Sequence, residues 1–324
     1  MKPNTSTAKT NTNLTQNCFI AMVLIPLATI TLLVIPLNLS IAGDVSNFDQ
    51  YCAGARGIAM GNTGGMLPSY ATGWFNNPAT GHGNSGIEYS EWYIPESLKT
   101  NYVHSLTLAY SQGKITEYIG LKVGFDATLQ KKRYFNFDFP NHHYRMGAIG
   151  VSYAPFRRLI FGMSGNIFQN KLEDNDATAF SGDAGAQLRL NLITLSACAK
   201  NLYGRSNNAA SGSDIKLEKG YSFGAHLNLL EKIFNFVGQV QLDETTAIIK
   251  YSFGSEFTFG NIISVRGGYE SPELQFNDSA DFELSVGLGI KLGNIAADYA
   301  IRENQYIEKD YIHFVTFGIV VPAA

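Results

Sequence analysis

The sequence predicts an all-β protein: a transmembrane antiparallel β-barrel of about 14 strands with an N-terminal plug. Three observations predict it. Apolar and polar residues alternate with a period of two along nearly all of the chain after residue 85. Long and short connections take turns between the alternating runs. A glycine-rich stretch too short to be a domain lies between an apolar leader and the first run.

The leader comes first. Residues 1–17 are polar and carry only Lys2 and Lys9 as charges, and Phe19–Leu37 (FIAMVLIPLATITLLVIPL) is an uncharged apolar run. Ser40, Ile41 and Ala42 then present small residues where a signal peptidase reads, so residues 1–42 read as a secretory signal peptide. The alternative is a retained anchor, because the run approaches the roughly 20 residues that span a bilayer. Pro26, Pro36 and the small-residue exit favour cleavage. Cys18 precedes the apolar run, the wrong place for a lipoprotein cysteine. No second apolar stretch of spanning length follows, so a membrane protein made from residues 43–324 crosses with strands.

Composition agrees. Charged residues make up 16% of the 324, below the roughly 25% usual in soluble domains. Gly (32), Tyr (17) and Phe (21) are plentiful, which suits a β-protein with an apolar exterior. The net charge of −3 gives no basic surplus of the kind that accompanies nucleic-acid binding.

The strands follow from alternation. In DFELSVGLGIKL (281–292), Phe282, Leu284, Val286, Leu288, Ile290 and Leu292 fall on one face, and Glu283, Ser285, Gly287, Gly289 and Lys291 on the other. Tyr221, Phe223, Ala225, Leu227 and Leu229 oppose Ser222, Gly224, His226 and Asn228. Phe180, Ala184, Ala186, Leu188 and Leu190 oppose Ser181, Asp183, Gln187 and Arg189. Such runs place strands near 86–93, 102–110, 116–126, 144–154, 158–168, 180–190, 192–200, 220–230, 233–242, 246–259, 261–270, 281–291, 293–302 and 310–321. No helical period competes with them.

The connections say what the strands build. Long links (TLQKKRYFNFDFPNHH, NKLEDNDATA, the Gly204–Gly220 segment, SPELQFNDSA, ENQYIEK) alternate with short ones (SQGKI, PFRR, Asn191, LEK, Gly260). Bacterial outer-membrane barrels show this asymmetry of tight periplasmic turns and longer outer loops, with an even strand count. Lys122, Asp183, Arg189, Lys200, Lys250, Glu256, Arg266, Glu283, Lys291, Asp298 and Arg302 lie on the polar faces. A charge on the lipid face near the midplane costs roughly 2–4 kcal/mol, so these point into the lumen. There they brace and solvate the interior, or form a substrate-selective row.

Residues 54–80 (GARGIAMGNTGGMLPSYATGWFNNPAT) carry one charge, Arg56. A phosphate-binding loop needs a Lys after its last glycine, and a dinucleotide fingerprint needs GxGxxG between a strand and a helix. Neither pattern is present. Residues 43–85 are instead expected to lie inside the barrel as a plug, their glycines allowing tight turns beside the wall. A disordered periplasmic leader is the alternative, which the apolar content opposes. Arg189, Lys250 and Arg266 are expected to hold the plug backbone, with Trp74 and Phe75 wedged against the wall. The barrel then covers 86–324.

GARGIAMGNTGG (Gly54, Arg56, Gly57, Gly61, Gly64 and Gly65), followed by YATGWFNNPAT (Trp74, Phe75, Asn76, Asn77, Pro78 and Ala79), resembles the N-terminal region of the FadL-like outer-membrane transporters and their PorV/PorQ relatives. At the other end, VRGGYE (265–270), SVGLGIKLGNIAADYAI (285–301) and an aromatic-rich last strand with Phe314 and Phe317 resemble the closing hairpins of the PorV/PorQ group. That family's barrel has 14 strands, as counted here from the alternating runs. The chain departs from the pattern in being short for a FadL-type transporter and in ending VVPAA rather than in an aromatic.

Catalytic patterns are not found. The six histidines are spread out: His142 and His143 in a long outer loop, His226 on the lumen face, His82, His104 and His313 near strand ends. There is no GxSxG nucleophile elbow, and the His142–His143 pair lacks a second ligand pair at metal spacing. No cofactor or metal is expected. Cys52 and Cys198 remain after signal removal, as a disulfide that an oxidising compartment permits or as two isolated thiols. Cys198 shares the lumen face with Thr194 and Ser196.

The resemblance implies a non-enzymatic role at the outer membrane of a diderm bacterium, with outer-membrane lipid as its surroundings. A PorV/PorQ-like adaptor would receive secreted proteins or secretion components of a type IX-like pathway. A FadL-like channel would pass hydrophobic small molecules. A structural surface barrel is the third class. The short chain and charged lumen place the adaptor first, and an apolar interior beside the plug would favour uptake.

Overall fold

In a computed structural model the residues described are 54–67, 72–80, 82, 84–93, 101–112, 118–134, 137–138, 142–172, 175–208, 217, 219–230, 233–244, 249–271, 283–303 and 311–322. The expected signal peptide and Cys52 lie outside them. The strands are β1 (Asn84–Tyr93), β2 (Asn101–Gln112), β3 (Ile119–Tyr134), β4 (Phe137–Asp138), β5 (His142–Phe156), β6 (Leu159–Leu172), β7 (Asn175–Arg189), β8 (Ile193–Asn208), β9 (Gly220–Leu229), β10 (Phe234–Asp243), β11 (Ile249–Phe259), β12 (Ile263–Glu270), β13 (Glu283–Leu292), β14 (Ile295–Glu303) and β15 (Tyr311–Pro322). β4 is a two-residue ribbon that pairs back onto β3. The other strands are antiparallel to both neighbours, and β1 pairs with β15 from Asn84↔Pro322 to Tyr93↔His313. The sheet closes into a 14-stranded transmembrane barrel without free edges.

The two faces are chemically distinct. On β13, Leu284, Val286, Leu288 and Ile290 are 52–58% exposed, whereas Glu283 and Ser285 are 4% exposed. Ile149 and Val151 of β5, Phe161 and Met163 of β6, Phe253 and Phe257 of β11, and Phe317 and Ile319 of β15 continue the outward apolar belt. Hydrocarbon accepts those side chains, and closure satisfies the backbone that it cannot solvate.

The strands are longer on one side. β3, β5, β6, β7 and β8 have 14–16 residues, and β9 to β14 have 8–11. Two expected loops are therefore largely ladder. β6 and β7 are separated by residues 173–174 alone, and β3 runs on to Tyr134. His142 and His143 correct the sequence reading in the same way: they open β5 rather than sit in a loop. Beyond the hydrocarbon no face is obliged to be apolar, so alternation ends while backbone pairing continues.

A ring of 14 strands spaced about 4.8 Å apart and tilted about 40° has a backbone diameter of roughly 28 Å. Wall side chains do not fill that width, and the N-terminal segment enters it. Gly54–Ala59 forms a six-residue helix, which no period in the sequence announced, and it packs against β12, β13, β14 and β15. Residues 57–67 and 73–75 are buried, as are Asn77 to Thr80. The segment is a plug.

Candidate functional site

The plug and the inner wall that carries it make up the site. Its first half is held by polar contacts. The Ala55 backbone N–H donates to Thr316 Oγ1 of β15 (2.8 Å), and the Gly61 N–H to Ser285 Oγ of β13 (3.2 Å). Gly54 and Gly61 have φ of 67° and 72°, the left-handed region in which glycine carries no Cβ penalty.

Arg56 makes two bonds to Glu256 of β11, Nη2–Oε1 at 2.8 Å and Nε–Oε2 at 3.0 Å. Arg266 of β12, directly across from Glu256, donates to Glu256 Oε2 at 2.6 Å and to Asp298 Oδ1 of β14 at 2.6 Å. Asn235 Nδ2 completes the Glu256 shell at 2.9 Å, and its Oδ1 lies 3.3 Å from His226 Nε2. Arg266 reaches β14 across β13 because Gly289 leaves the way open; a Cβ there would lie 2.5 Å from Arg266 Nη2. Buried charges need such partners and hydrogen bonds. A second set joins Arg302 of β14 to Glu270 (3.2 Å) and to Glu283, which face each other across β12 and β13. Asn62 of the plug donates to Glu270 at 3.4 Å.

The second half of the plug rests on β3 and β5 to β8. Lys122 Nζ donates to the carbonyls of Pro78 and Thr80, and Arg189 Nη1 to the His82 carbonyl at 3.0 Å. Asn77 folds the chain back, its Oδ1 accepting from the Ala79 N–H (3.0 Å) while its Nδ2 donates to Ala197 O (3.3 Å). His82 Nδ1 is 3.0 Å from Ser152 Oγ, and Lys200 Nζ is 3.5 Å from Asn76 Oδ1. Asp183 accepts from Asn166 Nδ2 (2.7 Å) and the Asn201 N–H (2.8 Å). The plug backbone lies directly on glycines of the wall. A Cβ on Gly162 would overlap the Pro78 carbonyl, one on Gly185 would overlap Asn77, and one on Gly268 would overlap Gly61.

Above this seat the interior turns apolar. Trp74 and Phe75 are stacked, with centroids 4.4 Å apart and an interplanar angle of 18°. They are buried against Met146, Ala148, Phe168 and Ala179 of the inner wall, with the partly buried Leu217 packed against the group.

Of the charges expected in the lumen, Lys122, Asp183, Glu256, Arg266, Glu283, Asp298 and Arg302 are buried. Arg189, Lys200 and Lys250 are half-buried, and Lys291 is exposed beside the turn at Gly293–Asn294. Arg266 holds carboxylates rather than plug backbone; Lys122, Thr316 and Ser285 supply backbone contacts that sequence reasoning missed. Their only signal was polar-face parity on β3, β15 and β13. Cys198 is buried on β8, and Cys52, with which it was read as either disulfide-bonded or an isolated thiol, lies outside the described residues. Among the described residues no group of three or more His, Cys, Asp or Glu is placed to hold a metal ion.

No family model matches the chain, and no curated protein matches it. Solved structures do. A deltaS2 mutant of the TodX monoaromatic hydrocarbon channel is similar at 14% identity and TM-score 0.57, over 84% of this chain and 98% of that one. The Pseudomonas putida toluene transporter TodX is similar at 14% identity and TM-score 0.55, over 87% of this chain and 98% of that one. This chain shares their fold. At that identity the likeness is one of architecture.

Proposed function

We propose that the protein is a passive, non-enzymatic channel of a diderm outer membrane that admits small hydrophobic molecules past a plug, after export through residues 1–42. The apolar group around Trp74 and Phe75 carries this reading. Met146, Ala148, Phe168 and Ala179 face inward, where no lipid requires them to be apolar, and they meet the plug's own aromatics. The structures it resembles are those of a monoaromatic hydrocarbon channel and a toluene transporter, which supports uptake over the adaptor role that the PorV/PorQ resemblance put first. The test is influx of radiolabelled toluene into diderm cells with and without the protein. Faster influx with it is expected, and equal influx contradicts the proposal.

The adaptor reading retains one observation in its favour. The Arg56–Glu256–Arg266–Asp298 chain fixes the plug to three strands, as befits a barrel that presents a surface to secreted proteins rather than a path. Affinity isolation from detergent-solubilised outer membranes tests it: a secreted protein recovered in stoichiometric amount supports the adaptor, and its absence leaves uptake alone.

A further inference from the structure

Trp74 is 1% exposed, and its indole N–H has no hydrogen-bond partner among the described residues. The side chains that share its cluster, among them Phe75, Met146 and Phe168, offer no strong acceptor. A buried donor left unmade costs about 1–3 kcal/mol, and indole is a donor only. A phenylalanine would keep most of the apolar contact without that cost, so packing alone does not call for the indole N–H.

The Cε3–Cζ3 edge of Trp74 lies against β5, where a Cβ on Gly150 would be 3.4 Å from both atoms. Nε1 lies in the other ring of the bicycle, on the far side from those two atoms. Leu217, packed against the group, is only partly buried and comes from the connection between β8 and β9 rather than from a strand.

We propose that Trp74 is the polar anchor of a binding site for small aromatic molecules bearing one hydrogen-bond acceptor, such as aryl ketones. The inference rests on the uptake reading above. The aromatic body takes the place of Leu217 against Phe75 and Phe168, and the ligand oxygen accepts from the indole N–H. A ligand offering only donors gains nothing from indole. A bare hydrocarbon is held by packing alone and leaves the donor unmade. Sites built around a buried hydrogen-bonding group discriminate against analogues that lack the partner.

Acetophenone and cumene have nearly the same shape, and only acetophenone carries an acceptor. Their binding to the full chain in detergent is measured by equilibrium dialysis against matched protein-free micelles, for the native protein and for Trp74→Phe, with heat-modifiable migration reporting the fold. Trp74→Phe is expected to weaken acetophenone about 5- to 10-fold, the worth of one hydrogen bond, and to change cumene less than about twofold. Equal changes for both ligands, or none, overturn the inference. A second measurement needs no variant: the infrared carbonyl band of acetophenone bound to the native protein should fall below its position in hexane. A hexane-like band overturns the inference as well. If neither ligand binds the native protein, the uptake reading falls with it; if cumene binds and acetophenone shows no dependence on Trp74, only the anchor falls.

Discussion

Arg56 of the plug and Glu256 of β11 form a two-bond ion pair between plug and wall, at 2.8 and 3.0 Å, and Arg266 shares the same carboxylate at 2.6 Å. Arg56 is the only formally charged side chain in the described part of the plug. One carboxylate therefore ties the plug to the wall and also joins β11 to β12.

Glu256→Ala takes the shared carboxylate from both arginines. Removing one partner of a buried pair costs about 3–5 kcal/mol, because a desolvated charge is left behind. Urea titration in lipid vesicles should show a loss of that size. An unchanged midpoint would mean that water already solvates the pair.

The wall glycines make a sharper test of the plug's seat. Gly162 and Gly165 lie on β6, but a Cβ on Gly162 would overlap the Pro78 carbonyl, whereas one on Gly165 would meet nothing within 4 Å. Gly162→Ala is expected to displace the plug and speed protease cleavage within 72–80. Gly165→Ala should behave like the native protein, and identical digestion of both variants would contradict the seat.

The barrel was legible in the sequence because lipid enforces it. Every crossing strand must be apolar outside, so Leu284, Val286, Leu288 and Ile290 announce β13 whatever the interior does. The interior is held to no such period. Nothing in the spacing shows that Arg266 reaches Asp298 over Gly289, or that Lys122 serves the plug carbonyls, since the first depends on the register of three neighbouring strands and the second on where the plug lies inside the barrel. The glycines of the plug were visible, but their counterparts on the wall, Gly162, Gly185 and Gly268, looked like ordinary small residues of the polar face. The helix Gly54–Ala59 is too short to display a period, and the upper parts of β3 and β5 to β8 lack the lipid that would impose one.

The outer belt makes its own prediction. Leu288 is at the middle of β13 and 55% exposed. Leu288→Arg should lower folding stability in bilayers by about 2–4 kcal/mol, the cost of a cation near the midplane. A loss below about 0.5 kcal/mol would remove Leu288 from the lipid face.

Orientation is testable with tags. The tight turns at 157–158, 190–192, 260–262 and 293–294 share one end of the barrel with both chain ends of the ladder, Asn84 and Pro322. Tags within 209–216 or 272–282 should be labelled on intact cells by an impermeant reagent, and tags at 231–232 should be labelled only after lysis. The reverse pattern would turn the barrel over.

Conductance across planar bilayers, compared between the intact protein and a variant lacking residues 44–80, tests the plug most directly. A ring of 14 strands emptied of that segment is wide enough for ions and water. The intact protein should stay nearly closed while the deletion variant, shown by heat-modifiable migration to form a barrel, conducts steadily. Equal conductance in the two would show that this segment does not close the barrel.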